Sequence, residues 1–510
     1  MGVPKFTAWL KQQQKHYNTY FIVRQPKYVD NLFIDANSTI YDVVGKLEVI
    51  NEDDIINGVL KFYDELIDMI KPTMTYIAID GVVPFSKITQ QRIRRYTSYY
   101  LDNTDTEWHP NSNISPGTPF MIKLDKALIE YSKNKNIIYS SFWHHGEGEH
   151  KIIQYIKKYG GNKINMIYGN DTDIIFLSLI AHLQYQRNIY LFKVFEKQNQ
   201  FYKVALINKL LCEIFNQNNI EATNKHIYDF IILCFIIGND FLQHIPFIDA
   251  FKLQYVISSY ITALQSFNGT NIINDDFTIN YNNLMLVMKV LSEKEVILFK
   301  LTNDECKLML KYNRKPTGDK KIIEEFRIKQ NDYSYFDSIV IDKCNDIINM
   351  SSLITYKYNY YNYYIKTNNT SIINDMLCNY FEGFNWTVDY YFNTSLENDY
   401  DASCNNWDWY YKYPCVPFIS DIYNYLSNNT LINNSISNNS SKPLTVDEQL
   451  FYIIPPKYLK SIQPAIYDVL INHNYLMPLN TRIDTLHKGK LWECHAIVPL
   501  TDANTLRQII

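Results

Sequence analysis

The chain has 510 residues, of which 46% are hydrophobic, with a formal net charge of −4 and a sequence pI of about 6.3. The length predicts two or three structural units, and the near-neutral charge excludes a protein that is basic throughout, so any nucleic-acid site must be a local patch. The eight cysteines include no C-x-x-C pair, which argues against a zinc knuckle. Eight thiols in 510 residues are too few for a disulfide framework, and a reducing compartment is expected.

The composition also bears on location. No apolar run is long enough to span a bilayer, and no signal peptide is recognisable. We therefore expect an intracellular protein that binds no membrane, in the cytoplasm rather than the nucleus. The 43 tyrosines and only 15 glycines fit an A+T-rich coding sequence, as in some large DNA viruses or protists. For a viral protein, the virion or the host cytoplasm is the expected location.

Four short apolar runs in the first half of the chain each end in an acidic residue: Asp35, Asp80, Asp171 and Asp240. The first three runs have the length of buried strands, whereas the fourth, beginning at Phe230, is long enough for either a helix or a strand. Helical patterns lie between the runs, as from Ile55 to Ile70, where apolar residues recur at steps of three and four.

This alternation of strands and helices predicts an α/β fold with a mostly parallel sheet flanked by helices. Ligands of such sheets bind at the carboxyl ends of the strands, where three of the four acids fall. Residues 1–260 are predicted to form this core and residues 261–350 a helical extension with a variable connector. Residues 351–510 are predicted to form a largely helical second lobe packed on the core.

Seven acidic residues form a candidate set of metal ligands: Asp35, Asp80, Glu147, Glu149, Asp171, Asp173 and Asp240. Four of them come in pairs separated by one residue. Such residues point the same way only in an extended or turn segment, so each pair is expected just before its helix. Carboxylates suit Mg²⁺ or Mn²⁺, and two such ions can bind the attacking water and the leaving oxygen of a phosphodiester. Taken singly, each acid is more simply a surface residue or a helix cap.

The run from His144 to His150 contains three histidines and offers zinc as an alternative ion. It lacks the H-E-x-x-H spacing that places two imidazoles on one helix face. The mismatch disfavours zinc.

A basic helix face is predicted shortly after Asp80. Its members, spaced i, i+4, i+7 and i+8, are Lys87, Gln91, Arg94 and Arg95, while Arg92 points elsewhere. Arginine binds phosphate oxygens in bidentate fashion and lysine adds a point charge, so this face suits a terminal phosphate. The alternative is an ordinary exposed helix, and the nearby acids argue against it.

Several sequence blocks, in this order, resemble those of the XRN family of 5′→3′ exoribonucleases. In the first half they are Met1–Phe6, Asn31–Asn37, Ile79–Lys87, Gln90–Arg95, Pro116–Met121, Gly146–Lys151, Tyr168–Asp173 and Leu233–Leu242. In the second half they are Tyr360–Tyr364, Phe381–Trp386, Trp407–Tyr411, Pro417–Asp421, Glu448–Leu450, Pro455–Pro456 and Lys490–Trp492. The resemblance covers nearly the whole chain and is weak at residues 302–350 and 425–442.

The resemblance implies a core like that of PIN and flap nucleases. It also implies processive hydrolysis of 5′-monophosphorylated single-stranded RNA to mononucleotides, in RNA decay, with two Mg²⁺ or Mn²⁺ ions. The seven acids would be the catalytic metal ligands. The basic face would be the 5′-monophosphate pocket and would exclude capped and triphosphate ends by size. Trp409 would stack on a base, as would Tyr41, which stands where the family usually has histidine. We expect a monomer.

Two departures from the family pattern lie near the acids. His145 replaces a proline before Gly146, and Asn393–Asn406 resembles an insertion before Trp407. The rim of the substrate channel is therefore expected to differ from that of the family.

Two alternatives to this function stay open. A structure-specific 5′-flap DNA endonuclease or exonuclease of the related superfamily would share the metal site, but it would not need the second lobe with Trp407 and Trp409. A non-catalytic RNA-binding or scaffold protein would leave bound RNA intact, and the complete set of acids argues against it.

Overall fold

The structure is a computed structural model that describes residues 3, 5–47, 51–101, 108–311, 318–330, 352–393, 396, 400–429, 441–477, 481–485 and 490–510. Residues 331–350 of the predicted connector lie outside the described residues. So do five positions of the predicted insertion between residues 393 and 406.

In the described part of the chain, seven strands form one sheet in the order β1-β7-β6-β5-β2-β3-β4. They are β1 (Ile22–Val23), β2 (Asn31–Asp35), β3 (Met74–Ala78), β4 (Ile138–Ser140), β5 (Ile164–Tyr168), β6 (Asn188–Phe195) and β7 (Gln198–Lys203). Strands β6, β5, β2, β3 and β4 run parallel, whereas β7 pairs antiparallel with both β6 and β1. The predicted mostly parallel sheet is confirmed.

Both faces of the sheet are covered, as is usual for parallel strands. Successive residues of β2 alternate between two hydrophobic cores, with Phe33 in one and Leu32 and Ile34 in the other. The helix Glu52–Ile70 contributes to the core around Ile34, and the helix Asp173–Tyr185 contributes to the core around Phe33. Burial on both faces explains why each strand is a continuous apolar run in the sequence.

Helices surround the sheet and form most of the second lobe, as predicted. In chain order the α-helices are Phe6–His16, Ala36–Val44, Glu52–Ile70, Phe85–Leu101, Pro110–Asn113, Pro119–Lys135, Gly148–Tyr159, Asp173–Tyr185, Val204–Asn216, Asn224–Phe235, Leu253–Leu264, Tyr281–Ser292, Glu295–Lys311, Asp319–Gln330, Leu353–Ile365, Thr370–Phe392, Ile419–Asn428, Val446–Ile453, Pro456–Ile462, Pro464–Ile471 and Ala503–Ile509. A short antiparallel pair, β8 (Arg482–Asp484) and β9 (His495–Ile497), lies near the end of the chain. Within the described ranges, no helix combines the length and the apolar character needed to cross a bilayer.

Two helices can be compared directly with the sequence predictions. The helix Glu52–Ile70 confirms the predicted one and starts three residues earlier, because the Asn51 side chain accepts a hydrogen bond from the backbone N–H two residues later (2.9 Å) and caps it. The run beginning at Phe230 belongs to the helix Asn224–Phe235 and is not a strand. Residues 227–235 are all buried. The sequence therefore lacks the alternation of polar and apolar residues that would have distinguished a helix from a strand.

The second lobe shares a hydrophobic core with the first half of the chain. That core combines the helix Asn224–Phe235 with the helices Leu353–Ile365 and Thr370–Phe392. The helix Leu253–Leu264 runs across the predicted boundary at residue 260. The division of the chain into three units at residues 260 and 350 stays a prediction.

The helix Phe85–Leu101 also joins the two halves of the chain. It packs in one hydrophobic core with the helix Val446–Ile453. The guanidinium of Arg92 is fully buried and donates hydrogen bonds to the carbonyl oxygens of Tyr452, Leu476 and Pro499. Arg92 thus points away from the basic face, as predicted, and fastens this helix to the C-terminal region.

Candidate metal and phosphate site

Three acidic residues end neighbouring strands of the sheet. Asp35 is the last residue of β2, Asp80 follows β3 by two residues, and Asp171 follows β5 by three. These strands are adjacent and parallel, in the order β5-β2-β3. Their carboxyl ends therefore meet at one edge, which is where the sequence places these residues.

Other acids reach this edge from the starts of helices. Glu147 is the N-cap of the helix Gly148–Tyr159 and Glu149 lies in its first turn, while Asp173 is the first residue of the helix Asp173–Tyr185. The prediction that each acid pair lies before its helix is therefore wrong for the second member of each pair. The first turn of a helix has free N–H groups and a positive dipole end, so carboxylates are favourable there.

Asp240 is placed by a tight turn after the helix Asn224–Phe235. Gly238 in this turn has a φ of 99°, and a Cβ atom there would lie 2.6 Å from the backbone nitrogen of His244. Only glycine fits such a position. Asn239 Oδ1 accepts hydrogen bonds from the backbone N–H groups of the two residues after Asp240, both at 2.8 Å, and so fixes the turn.

The seven acids interact electrostatically as one group, called here the acid cluster: Asp35, Asp80, Glu147, Glu149, Asp171, Asp173 and Asp240. Its burial is graded: four members are buried, two are half-buried, and Asp171 alone is exposed. Burial raises the pKa of Asp35 well above its ordinary value, and repulsion from neighbouring carboxylates raises it further. Burial likewise raises the pKa of Asp173 to about 7. These carboxylates are too close to ionise together without a compensating cation.

Hydrogen bonds orient the Asp80 carboxylate. Its Oδ2 accepts from Asn37 Nδ2 (2.9 Å), and its Oδ1 accepts from the backbone N–H of Gly148 (2.7 Å). A Cβ atom at Gly148 would lie 3.4 Å from Oδ1 of both Asp35 and Asp80. The start of the helix therefore lies directly against both carboxylates.

A buried ammonium group lies inside the acid cluster. Lys87 Nζ donates to Asp240 Oδ2 at 2.5 Å and forms an ion pair with Glu147. Burial would lower the pKa of Lys87, but the surrounding carboxylates raise it well above its ordinary value. Burial would raise the pKa of Asp240, but Lys87 holds it well below its ordinary range. Lys87 thus pairs with two of the acids, and its place in the 5′-monophosphate pocket stays a prediction.

The side chains fit a divalent cation. Asp173 Oδ1 is buried and has no hydrogen-bond partner among the residues that the structure describes. One oxygen each of Glu147 and Glu149 and one ring nitrogen of His150 all lie within 4.8 Å of one another. A buried carboxylate oxygen is costly unless a cation or a donor meets it. Because oxygen atoms predominate, the set favours Mg²⁺ or Mn²⁺ over zinc.

Three members of the basic face carry polar atoms that are available to a ligand. In the described ranges, buried Gln91 Oε1, Arg94 Nε and Arg95 Nη1 have no hydrogen-bond partner. Arg94 interacts electrostatically with Asp240 and Arg95 with Asp80, so both guanidinium groups border the acids. Burial lowers the pKa of Arg95 to about 10. Buried cationic donors without partners are suited to an anion.

The two candidate stacking residues, Tyr41 and Trp409, are both half-buried. Tyr41 lies in the helix Ala36–Val44. Trp409 stacks on Trp386 with ring centroids 5.3 Å apart, whereas the neighbouring Trp407 is buried. Trp409 is therefore the more accessible of the two tryptophans. Stacking on RNA stays a prediction for both candidates.

Three residues that contact the acid cluster or the loop before Glu147 were not found from the sequence: Asn37, Tyr390 and Asp401. The Tyr390 hydroxyl donates to Glu147 Oε1 (3.1 Å), and Asp401 Oδ1 accepts from the backbone N–H of His145 (2.6 Å). Asn37 follows Asp35 by two residues. Its amide, so close to a strand-end carboxylate, could have been predicted from the sequence to lie at the site. Tyr390 and Asp401 lie 243 and 256 positions from their partners, beyond the reach of any local pattern.

A short segment, residues 400–403, is fastened to the loop before Glu147. The backbone N–H of Ala402 donates to the His145 carbonyl oxygen (2.8 Å). Gly146 has a φ of 99°, and a Cβ atom there would lie 2.2 Å from Ala402 Cβ. His145 supplies a backbone N–H donor for Asp401, which a proline at this position would lack.

Curated relatives and solved structures can be compared with this chain. It is 24% identical to the protein named 5′-3′ exoribonuclease 1 of Schizosaccharomyces pombe, over 99% of this chain and 48% of that protein. It is 25% identical to the human protein of the same name, over 99% of this chain and 34% of that protein. The chain thus spans less than half the length of these relatives. Both come from cellular organisms and lend no support to a viral origin.

The solved catalytic core of Rad2 in complex with DNA substrate is 15% identical to this chain, with a TM-score of 0.33 over 70% of this chain and 86% of that one. A likeness this distant carries no argument about function. Family profiles match most of the chain. One described as XRN 5′-3′ exonuclease N-terminus matches residues 1–191, and one described as Xrn1 helical domain matches residues 220–355 and 341–509. With both profiles matched in order along the chain, the protein belongs to the XRN family.

Proposed function

We propose that the protein is a metal-dependent 5′→3′ exoribonuclease that hydrolyses 5′-monophosphorylated RNA processively to mononucleotides. The observation that carries the proposal is the position of Arg94 and Arg95, whose unpaired buried nitrogens border the acid cluster. A terminal phosphate bound there would bring the next phosphodiester to the acids. The names of the relatives, 5′-3′ exoribonuclease, support the same activity.

The acid cluster would hold the metal, and we propose two ions, Mg²⁺ or Mn²⁺. Such ions, when bound, activate the attacking water and stabilise the charge on the leaving oxygen. The ligands come from strand ends and helix starts, which hold them more firmly than long loops would. Asn37 and the Gly148 N–H keep the Asp80 carboxylate oriented.

The 5′ end would be recognised by Gln91, Arg94 and Arg95. Each guanidinium can bind two phosphate oxygens at once, which fixes both the position and the orientation of the terminal phosphate. Arg95 is only 3% exposed, so a phosphate bound to it would have a closed pocket behind it. We propose that this closure excludes capped and triphosphorylated ends, and that Tyr41 and Trp409 stack on bases without regard to sequence.

The decisive experiment uses one RNA with a 5′-monophosphate, a 5′-hydroxyl or a 5′-triphosphate, labelled at its 3′ end and incubated with Mg²⁺. We expect loss of the monophosphate form alone, without long labelled intermediates. The matching control contains EDTA, in which all three RNAs should persist.

Other outcomes would contradict the proposal in distinct ways. Discrete labelled fragments from all three RNAs would indicate an endonuclease. Cleavage of a 5′-flap DNA with no loss of RNA would indicate a DNA nuclease. Retained RNA that co-migrates with the protein in Mg²⁺ would indicate a binding protein.

A further inference from the structure

Four aromatic rings form a continuous stack from the second lobe to the acid cluster. This aromatic column consists of Trp409, Trp386, Tyr390 and His150, with successive centroid distances of 5.3, 4.9 and 3.9 Å. The planes of neighbouring rings differ by 21° to 26°. Tyr390 is therefore held on both ring faces, by Trp386 and by His150.

The column rests on one helix, Thr370–Phe392, which carries both Trp386 and Tyr390 one turn apart. A Cβ atom at Gly383 would lie 2.4 Å from Cη2 of Trp409, so Trp409 sits directly against the backbone of the same helix. This packing leaves little freedom for the Tyr390 ring to turn.

The hydroxyl at the end of this fixed ring has a specific partner. It donates to Glu147 Oε1 (3.1 Å), while the other oxygen of Glu147 forms an ion pair with Lys87. Tyr390 is 3% exposed and Glu147 is 4% exposed, so water does not compete freely for this hydrogen bond. Both oxygens of a candidate metal ligand are thus oriented by neighbouring side chains.

We propose that Tyr390 is a positioning residue that holds Glu147 in the orientation required for metal binding. The inference rests on the metal site of the proposed function and adds a residue from the second lobe to it. Packing in the aromatic column needs only the ring, which phenylalanine would also supply. The hydroxyl is needed only for Glu147, so removing it separates positioning from packing.

The test compares Tyr390→Phe with Tyr380→Phe in the full chain. Tyr380 lies on the same helix, is 2% exposed, and has a hydroxyl without a hydrogen-bond partner in the part of the chain that is described. Mn²⁺ binding is measured without RNA by electron paramagnetic resonance, and thermal unfolding is measured alongside it. Partners of metal ligands are typically worth about 10- to 100-fold in metal affinity or activity.

We expect Tyr390→Phe to weaken Mn²⁺ binding about tenfold with a melting temperature close to that of the unchanged protein. The lost RNA cleavage rate should recover at high Mg²⁺ or Mn²⁺ concentration. Tyr380→Phe should leave Mn²⁺ binding unchanged. Rescue by added metal would not be seen if the hydroxyl merely stabilised the helix.

Several results would overturn the inference. Mn²⁺ affinity of Tyr390→Phe within about twofold of the unchanged protein, or equal losses in both variants, would show that the hydroxyl does not position Glu147. No Mn²⁺ binding by the unchanged protein would remove the metal site and this role together. Mn²⁺ binding that depends on Tyr390, in a protein that leaves every RNA intact, would overturn the exoribonuclease proposal alone.

Discussion

Asp171 differs from the rest of the acid cluster because its side chain is exposed, whereas the others are buried or half-buried. It therefore lies on the side of the cluster that faces solvent. We expect Asp171→Asn to lower RNA cleavage by about 1,000-fold, because loss of a metal ligand removes several kcal/mol of transition-state stabilisation. Single-turnover decay of 5′-monophosphorylated RNA measures this effect.

The matched control for Asp171→Asn is Asp64→Asn, which removes a carboxylate from an exposed ion pair with Lys135. Its cleavage rate should equal that of the unchanged protein, since exposed pairs contribute little. Full activity of Asp171→Asn would contradict its assignment as a metal ligand.

Arg95 is expected to select the 5′ end. Arg95→Ala should lower the preference for a 5′-monophosphate over a 5′-hydroxyl by about 10- to 100-fold, which is the loss of one charge-assisted hydrogen bond of about 1.5–3 kcal/mol. The ratio of kcat/KM for the two RNAs is the measurement, with the exposed Arg24→Ala as control. An unchanged ratio would refute the phosphate pocket.

At the scale of single residues, the sequence identified side chains whose chemistry is visible locally. Each strand-end acid follows an apolar run, so its placement could be predicted. The role of Lys87 as a counter-ion could not, because it depends on Asp240, 153 positions away. Tyr390 likewise meets Glu147 only once the second lobe packs on the first half of the chain.

Lys157 gives the helix Gly148–Tyr159 an expected pH dependence. It is 1% exposed, and burial lowers its pKa to about 7, against about 10.4 in an unfolded chain. The folded protein therefore loses this proton first, and its stability should rise as the pH increases from 7 towards 10. Below pH 7 both states bind the proton, and the full cost of burying the charge is present.

The measurement is the urea midpoint of the unchanged protein and of Lys157→Met at pH 7, 8 and 9. As the pH rises, the free energy of unfolding of the unchanged protein should increase relative to that of Lys157→Met, by at most about 1.4 kcal/mol per pH unit. The half-buried neighbour Lys158→Met serves as control. Parallel pH profiles for the unchanged protein and Lys157→Met would contradict the lowered pKa.

Elements were predictable from sequence where one face differs from the other or where a short apolar run implies a strand. The sheet and the helix Glu52–Ile70 follow from such patterns. The helix Asn224–Phe235 is apolar on almost every side because it lies in a shared core, so periodicity could not separate it from a strand. The helix Gly148–Tyr159 begins before Glu149, although both acids of this pair were expected to precede it, since Glu147 and Gly148 carry no helical periodicity.

For the molecule as a whole, Arg92 is the clearest single connection between the two halves of the chain. We expect Arg92→Met to lower the free energy of unfolding by about 3–5 kcal/mol, because it leaves three buried carbonyl groups without their donor. The midpoint of urea denaturation, followed by tryptophan fluorescence, reports this change.

Arg507→Met is the control for Arg92→Met. Arg507 pairs with Asp408 at 2.7 Å in a partly exposed position, and such a pair contributes at most about 1 kcal/mol. Equal losses in the two variants would show that Arg92 has no special part in joining the halves.

Metal binding should also stabilise the whole chain. Mg²⁺ at a hundred times its dissociation constant should raise the free energy of unfolding by about 2.7 kcal/mol, since the ligands come together only in the folded protein. Differential scanning calorimetry with Mg²⁺ and with EDTA measures the shift, and Asp171→Asn should reduce it. A melting temperature that is the same with Mg²⁺ and with EDTA would contradict the metal site.

The position of Lys87 has a consequence for how an ion arrives. Asp240 and Glu147 both pair with the ammonium of Lys87, so a metal ion bound by these two carboxylates would compete with that ammonium for the same oxygens. The affinity that an experiment records is then the difference between two attractions. A small change in the strength of either attraction would shift the occupancy of the site, and we expect the fraction of protein with bound metal to follow the concentration of free ion.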